Sequence, residues 1–386
     1  MKNNFPVAKK MMTELFNREQ SDALRRLPAP SELIDFCSND YLGMACNPAV
    51  KVAIQNALEE DGPLGATGSR LISGNRKEME GFEQFLADFH RSEKALLFNS
   101  GYAANQGLLS CMAERHDTIL YDQLIHASLR EGLKLSLATH YSFRHNDLKH
   151  LEQKLQVSKG QIFVVVESVY SMDGDEAPLI GMLELCEKYG AALIVDEAHA
   201  TGVLGLEGRG LVAELGLEEQ VWARIYTFGK ALGGHGAAIC GPDYLIDYLI
   251  NFSKPFIYTT ALPWHGLAGV QAAYQEMQNG TALKILQQNI RFFTEQIPAS
   301  LRPQFIPSRS AIQSLVYPGN SAVRELAKTL QEHGFAVWPI LHPTVPKGQE
   351  RLRICLHSFN TEEQIQRLLD LLEIEVLSQT GVISIF

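Results

Sequence analysis

Residues 225–230 read Ile225–Tyr226–Thr227–Phe228–Gly229–Lys230. A short apolar, β-branched and aromatic run ends in a glycine and then a lysine. That is the pattern of a buried strand with a cation at its mouth. Such a cation is costly unless it has a partner or a task. A buried lysine loses its charge readily and becomes a nucleophile, toward an aldehyde for example. Upstream, Ala191–Ala192–Leu193–Ile194–Val195 is a second buried-strand pattern, and it ends in Asp196–Glu197–Ala198–His199. Two strands thus deliver a lysine, a carboxylate and a histidine to their C-terminal ends. In open α/β sheets that edge is where ligands bind. On these two segments alone, a structural lysine paired with a surface acid explains the pattern equally well.

The bulk numbers narrow the class. A chain of 386 residues exceeds the size at which one core stops growing, so one large and one smaller domain are expected. The content, 46% hydrophobic and 20% charged, is that of an ordinary globular protein. A net charge of −10 gives a nucleic-acid partner no electrostatic support. Met1 to Gln20 lacks the apolar core and small-residue cleavage site of a secretory signal. No apolar run approaches the ~18 residues of a membrane span. Six cysteines lie far apart without a C-x-x-C, so they read as reduced core residues of a cytoplasmic protein. The histidines show no metal-ligand spacing, and no metal site is expected.

Along the chain, a leading helix and a short extended piece, Glu32 to Phe36, precede the turn Ser38–Asn39–Asp40–Tyr41–Leu42–Gly43. Asn47–Pro48 opens a helix. Gly62 to Gly74 reads as a glycine-rich loop, either ligand-approaching or merely flexible. The strand Ala95–Phe98 leads through Asn99–Ser100–Gly101–Tyr102 into a helix, and a phosphate suits the free N–H groups of Ser100, Gly101 and Tyr102. Extended and helical segments then alternate: Thr118–Tyr121, a helix from His126, Tyr141–Phe143, a helix from Asp147, and Ile162–Val166. Pro178 starts the next helix and Gly190 closes it. This βα alternation predicts a mostly parallel sheet with helices on both faces. Phe256 to Pro263 reads as extended, followed by a long helix to about Gln278. Beyond residue 280 the pattern changes: helices alternate with the strands Ala311–Val316, Phe335–Trp338 and Leu352–Leu356. The organisation expected is an N-terminal segment (1–45) packing with the small domain, a large α/β domain (46–279) and a small α+β domain (280–386).

Several chemistries fall away. Asp196–Glu197–Ala198–His199 spells a helicase box, but no G-x-x-x-x-G-K-[ST] phosphate loop accompanies it. The glycines from Gly229 to Gly236 have the wrong spacing for a dinucleotide loop, and no G-x-S-x-G elbow is present. What remains is a lysine, a strand-end aspartate, a histidine beyond it and an anion site. That set fits pyridoxal phosphate. The lysine forms the Schiff base, and the aspartate keeps a proton on the pyridine nitrogen so that the ring is an electron sink.

With these residues on the page, the chain resembles the α-oxoamine synthase family of fold-type-I pyridoxal-phosphate transferases. The resemblance runs from about Asp22 to the last helix. It rests on Ser38–Gly43, Asn99–Ser100–Gly101–Tyr102–Ala103–Ala104–Asn105, His126–Ala127–Ser128, Ser171–Met172–Asp173–Gly174–Asp175, Asp196–His199, Thr227–Lys230 and Arg351–Leu352–Arg353. It implies a large domain with a mostly parallel seven-stranded sheet flanked by helices, plus a smaller α+β C-terminal domain. It also implies a homodimer with sites across the interface, and decarboxylative joining of an amino acid to an acyl thioester.

Three runs, Asp22–Arg26, Thr227–Ala238 and Ile257–Pro263, are most similar to the branch that joins L-alanine to a pimeloyl thioester. Glycine- and serine-using branches fit the same motifs less closely. The acyl carrier, coenzyme A or an acyl carrier protein, stays open. Only eleven residues separate Arg26 from Ser38, fewer than that branch implies.

The resemblance assigns roles residue by residue. Lys230 is the Schiff-base lysine and the base for the Cα proton. Asp196 pairs with the pyridinium nitrogen. His126 stacks on the ring, and His199 and Ser171 contact its phenolic oxygen. Ser100, Gly101, Tyr102 and Thr227 hold the phosphate, with Thr259 or Thr260 reaching it from the neighbouring subunit. Arg353 binds the amino acid carboxylate with Asn39 nearby, and Arg25 and Thr344 contact substrate. Asn39 and Thr344 also read as turn residues, Arg25 as a solvated helix charge and His126 as a helix cap.

Overall fold

The computed structural model describes residues 6–27, 32–60 and 63–379. Residues 28–31, within the short segment before Ser38, and Gly62 of the glycine-rich loop lie outside the described residues.

Among the described residues the strands are β1 (Ile34–Asp35), β2 (Lys94–Phe98), β3 (Thr118–Asp122), β4 (Thr139–Phe143), β5 (Ile162–Glu167), β6 (Ala191–Asp196), β7 (Ala223–Thr227), β8 (Ala237–Gly241), β9 (Ile312–Val316), β10 (Phe335–Ala336), β11 (Trp338–Ile340) and β12 (Arg351–Cys355). Seven of them form one sheet in the order β2-β8-β7-β6-β5-β3-β4. β8 pairs antiparallel with both neighbours, and the other pairs are parallel.

The strand sequences explain this. β5 is Ile-Phe-Val-Val-Val-Glu, and both of its faces are covered. Val164 and Val166 enter one apolar cluster, Phe163 and Val165 the other, so successive side chains serve opposite sides of the sheet. Chain order reverses between β3 and β5.

The C-terminal part carries the antiparallel sheet β11-β12-β9. β12 sits in its middle, with Arg353 opposite Ser314 on one side and Trp338 on the other. The N-terminal segment docks there: β1 pairs in parallel with β10, and Cys355 N–H donates to Phe36 O at 2.8 Å. Among the described residues no helix is long and apolar enough to cross a membrane.

Three local expectations are corrected. Phe256–Pro263 is not extended at its start, because Lys254–Ile257 forms a helical turn with Pro255 at a position that favours helix initiation. Phe256 then packs on Phe98, with ring centroids 5.8 Å apart. Phe335–Trp338 is not one strand. Val337 N–H turns back to Phe335 O at 3.1 Å, so β10 and β11 join different sheets. The loop ending at Gly74 contains a turn of π-helix, Arg70–Gly74. The helix Asp243–Phe252 had no counterpart in the sequence reading.

Candidate active site

A cavity of about 220 Å³ opens at the C-terminal ends of β5, β6 and β7. Asn39, Ser100, Gly101, Tyr102, His126, Asp196, His199, Thr227 and Lys230 line it. Nine residues singled out from the sequence thus meet in one place.

Lys230 follows β7 by one turn. Its Nζ donates to Thr227 Oγ1 at 3.3 Å. Burial lowers its pKa, partly offset by the negative charge of Asp196. Asp196 ends β6 and is 4% exposed. One of its oxygens accepts from Ala198 N–H at 3.0 Å and the other from Asn105 Nδ2 at 2.8 Å. Asn105 also donates to Ser128 Oγ at 2.9 Å.

His126 is both a ring on the cavity wall and a helix cap. It precedes the helix Ala127–Leu135, and its Nδ1 accepts from Ser128 N–H at 3.2 Å. Ser128 Oγ lies 2.7 Å from the same nitrogen. Nδ1 is therefore an acceptor and the proton sits on Nε2. Burial lowers the His126 pKa, with Asp196 opposing, which keeps the ring neutral.

The helix Gly101–Cys111 starts at the cavity, with Ser100 Oγ capping Ala103 N–H at 3.1 Å. The first N–H groups of a helix have no intrahelical partner and favour an anion. Gly101 is required there, because a Cβ would meet Thr227 Cγ2 at 2.5 Å.

The residues present fit pyridoxal phosphate. They offer a buried amine for its aldehyde, a buried carboxylate for its ring nitrogen, a neutral imidazole for its ring face and a glycine-lined helix start for its phosphate. Two buried polar atoms on lining residues, Asn105 Oδ1 and Glu167 Oε1, have no protein partner, as expected of a pocket shaped for a polar guest.

Other expected residues lie off the cavity. Ser171 is buried beside it; its N–H donates to Glu167 Oε2 at 3.3 Å and its carbonyl accepts from Arg353 Nε at 2.6 Å. Arg353 sits behind the wall, with Nη2 on Asn39 Oδ1 at 3.0 Å. Arg25 Nη2 donates to Thr344 Oγ1 at 3.3 Å, and Arg25 lines a separate groove with Arg324, Lys328 and Trp338. Thr259 Oγ1 accepts from Asn99 Nδ2 at 3.3 Å, and neither it nor Thr260 lines the cavity.

The sequence reading assigned no role to Tyr41, Asn105, Ser128 or Glu167. Glu167 had a visible signal, since it ends β5 and pairs in register with Asp196. Burial, with Asp196 adding to it, raises its pKa to about 8. Among the described residues no group of three or more His, Cys, Asp or Glu could hold a metal ion.

This sheet, with a lysine, an aspartate and an anion site at one edge, defines a pyridoxal-phosphate enzyme of fold type I. The chain belongs to the aminotransferase class I and II family, which matches residues 31–372. Within it, the chain is 38% identical to 8-amino-7-oxononanoate synthase of Emericella nidulans, covering 92% of each. It is 40% identical to the enzyme of that name from Methylobacillus flagellatus, over 88% of this chain and 86% of that one. Among solved structures it resembles a serine palmitoyltransferase from S. paucimobilis with bound PLP (TM-score 0.87, 27% identity, 98% of this chain and 100% of that one). The 8-amino-7-oxononanoate synthase of Francisella tularensis matches with TM-score 0.77 and 32% identity, over 90% of this chain and 99% of that one.

Proposed function

We propose that this protein joins L-alanine to a pimeloyl thioester, releasing CO2 and the free thiol and forming 8-amino-7-oxononanoate for biotin synthesis. The observation that carries this reading is the meeting of Lys230, Asp196, His126 and Gly101 around one cavity in a chain matched over most of its length by synthases of that name.

When bound there, pyridoxal phosphate would supply an electron sink for the charge developed at the amino acid Cα. Asp196 keeps the proton on the ring nitrogen, and Asn105 and Ala198 N–H hold that carboxylate in place. Lys230 Nζ, readily deprotonated in its buried position, takes the Cα proton and later returns one. His126 covers the ring face. His199 and Ser171 serve the phenolic oxygen. Ser100, Gly101, Tyr102 and Thr227 hold the phosphate. Arg353 and Asn39 orient the substrate carboxylate as a planar, charge-assisted pair, and Arg25 and Thr344 contact substrate further out.

We assign the working unit as a cytoplasmic homodimer. The position of Thr259 and Thr260 outside their own chain's cavity supports a role for them at the phosphate of a second copy. The assigned regions are 1–45, packing with the small domain, 46–279 and 280–386; the pairing of β1 with β10 supports the first. Coenzyme A or an acyl carrier protein delivers the acyl group.

The similarity to serine palmitoyltransferase supports a second reading, a sister enzyme using serine or glycine. Titrating the visible band of the loaded protein with L-alanine, glycine and L-serine separates the two. The first reading expects the strongest response to L-alanine and turnover with pimeloyl thioester. A stronger response to glycine or serine, without pimeloyl turnover, supports the second.

A further inference from the structure

Beside the cavity lies a buried hydroxyl, that of Tyr41, which the roles above do not use. Tyr41 is 0% exposed. Its hydroxyl oxygen lies 2.8 Å from His199 Nδ1, 3.1 Å from Asn39 Oδ1 and 3.5 Å from Arg353 Nη2. Asn39 Oδ1 in turn accepts from Arg353 Nη2 at 3.0 Å. One hydroxyl therefore touches both the group that binds the amino acid carboxylate and the histidine on the cofactor side. His357 stacks on the Tyr41 ring and helps to fix its plane, with centroids 6.5 Å apart.

The proton inventory makes this consequential. Burial raises the Tyr41 pKa, so the hydroxyl keeps its hydrogen. Burial lowers the His199 pKa well below its ordinary value, and the cations Lys230 and Arg353 facing it push the same way. The imidazole is therefore neutral and carries one N–H. Tyr41 has one hydrogen and two acceptors in range. Given to Asn39, it forces the imidazole proton onto Nδ1 and leaves Nε2 an acceptor. Given to His199 Nδ1, it forces that proton onto Nε2. The 2.8 Å contact with His199 is common to both arrangements, and Asn39 Oδ1 already has a charge-assisted donor in Arg353 at 3.0 Å, which favours the second.

We propose that Tyr41 is a positioning residue: its hydroxyl holds His199 in the tautomer with hydrogen on Nε2 and ties that histidine to the carboxylate-binding pair Arg353 and Asn39. The inference rests on the reading above in which His199 serves the phenolic oxygen of the cofactor. A donor on that oxygen stabilises its ionised form. Losing it raises the proton affinity of the neighbouring imine nitrogen.

The test uses the full-length protein loaded with pyridoxal phosphate. In Tyr41→Phe the pH midpoint of the visible band is expected to rise by roughly half a unit to one unit. The apparent Kd for L-alanine, read from the same band, is expected to weaken about 3- to 10-fold, because Asn39 and Arg353 lose a partner. His199→Gln places an amide N–H near Nε2 and removes the tautomer choice, so Tyr41→Phe should add little midpoint shift on that background. A midpoint unmoved in Tyr41→Phe, or shifts that add in the double variant, overturns the proposal. Should Tyr41→Phe not fold, the ¹⁵N spectrum of histidine-labelled wild type decides, with His199→Gln assigning the signal. Hydrogen on Nε2 supports the proposal and hydrogen on Nδ1 overturns it. A protein that forms no visible band at all instead refutes the cofactor reading, which keeps the two failures apart.

Discussion

Asn105 Nδ2 stands 2.8 Å from Asp196 Oδ2, and the same amide donates to Ser128 Oγ, which touches His126 Nδ1. One side chain thus joins the acid proposed for the ring nitrogen to the imidazole proposed for the ring face. A hydrogen bond to a buried ionised group contributes roughly 1.5–3 kcal/mol. Asn105→Ala should therefore weaken cofactor retention about 10-fold or more, measured by dialysis followed by the visible band. Retention equal to wild type would mean that Asp196 is held by Ala198 N–H alone.

Lys230 Nζ has Thr227 Oγ1 as its protein partner, at 3.3 Å. It is otherwise set up to react rather than to brace the fold. Lys230→Ala should fold normally, lose the visible band of the covalent adduct and lose turnover by roughly 10³-fold or more. Turnover near that of wild type would remove Lys230 from the chemistry.

Much of this was legible in the sequence, for a physical reason. β6 is a continuous apolar run and β7 leads into the run Ile225–Phe228, and parallel strands place whatever follows them at one edge, so Asp196, His199 and Lys230 could be brought together on paper. Gly101 was legible because a strand, a glycine and a helix start make an anion site locally. Tyr41, Asn105 and Ser128 were not, because their partners come from tertiary packing. Tyr41 and His199 are 158 residues apart, and Asn105 and Asp196 are 91 apart. Phe256 was misread because an aromatic, β-branched run suits a strand as well as a helical turn started by Pro255.

His145 lies between two carboxylates, with Nδ1 3.0 Å from Asp122 Oδ1 and Nε2 2.7 Å from Asp175 Oδ2. Burial opposes its charge, but the hydrogen bonds to Asp122 and Asp175 prevail and raise its pKa to about 10. A group whose folded pKa is raised contributes stability that is complete below its unfolded value, 6.5, and lost as pH rises through about 10. Wild-type Tm should therefore fall between pH 6.5 and 10 more steeply than that of His145→Gln. Asp175 also closes the loop from Ser171, whose carbonyl holds Arg353 Nε. The variant should thus raise KM for L-alanine several-fold with a smaller change in kcat. Parallel Tm profiles would show that His145 is not charged in the folded protein.

Glu167 offers the complementary case, a carboxyl that burial holds in its neutral form. Its Oε2 accepts from Ser171 N–H at 3.3 Å, while Oε1 has no protein partner. Burial, reinforced by Asp196, raises its pKa from 4.5 to about 8. Between those values the unfolded chain ionises this group and the folded chain does not. Its contribution to stability is therefore complete below pH 4.5 and lost as pH rises through about 8. The loss is on the order of several kcal/mol. Glutamine keeps the shape and cannot ionise. Cofactor-free Glu167→Gln should match wild type near pH 4.5 and be the more stable protein at pH 8.5, compared by urea denaturation at both values. Cofactor-free protein is the right sample, because a bound phosphate and ring cation would change the field at this carboxyl. A variant less stable than wild type at pH 8.5 would mean that ionised Glu167 is held by partners in the fold, and that its unpaired oxygen is not free.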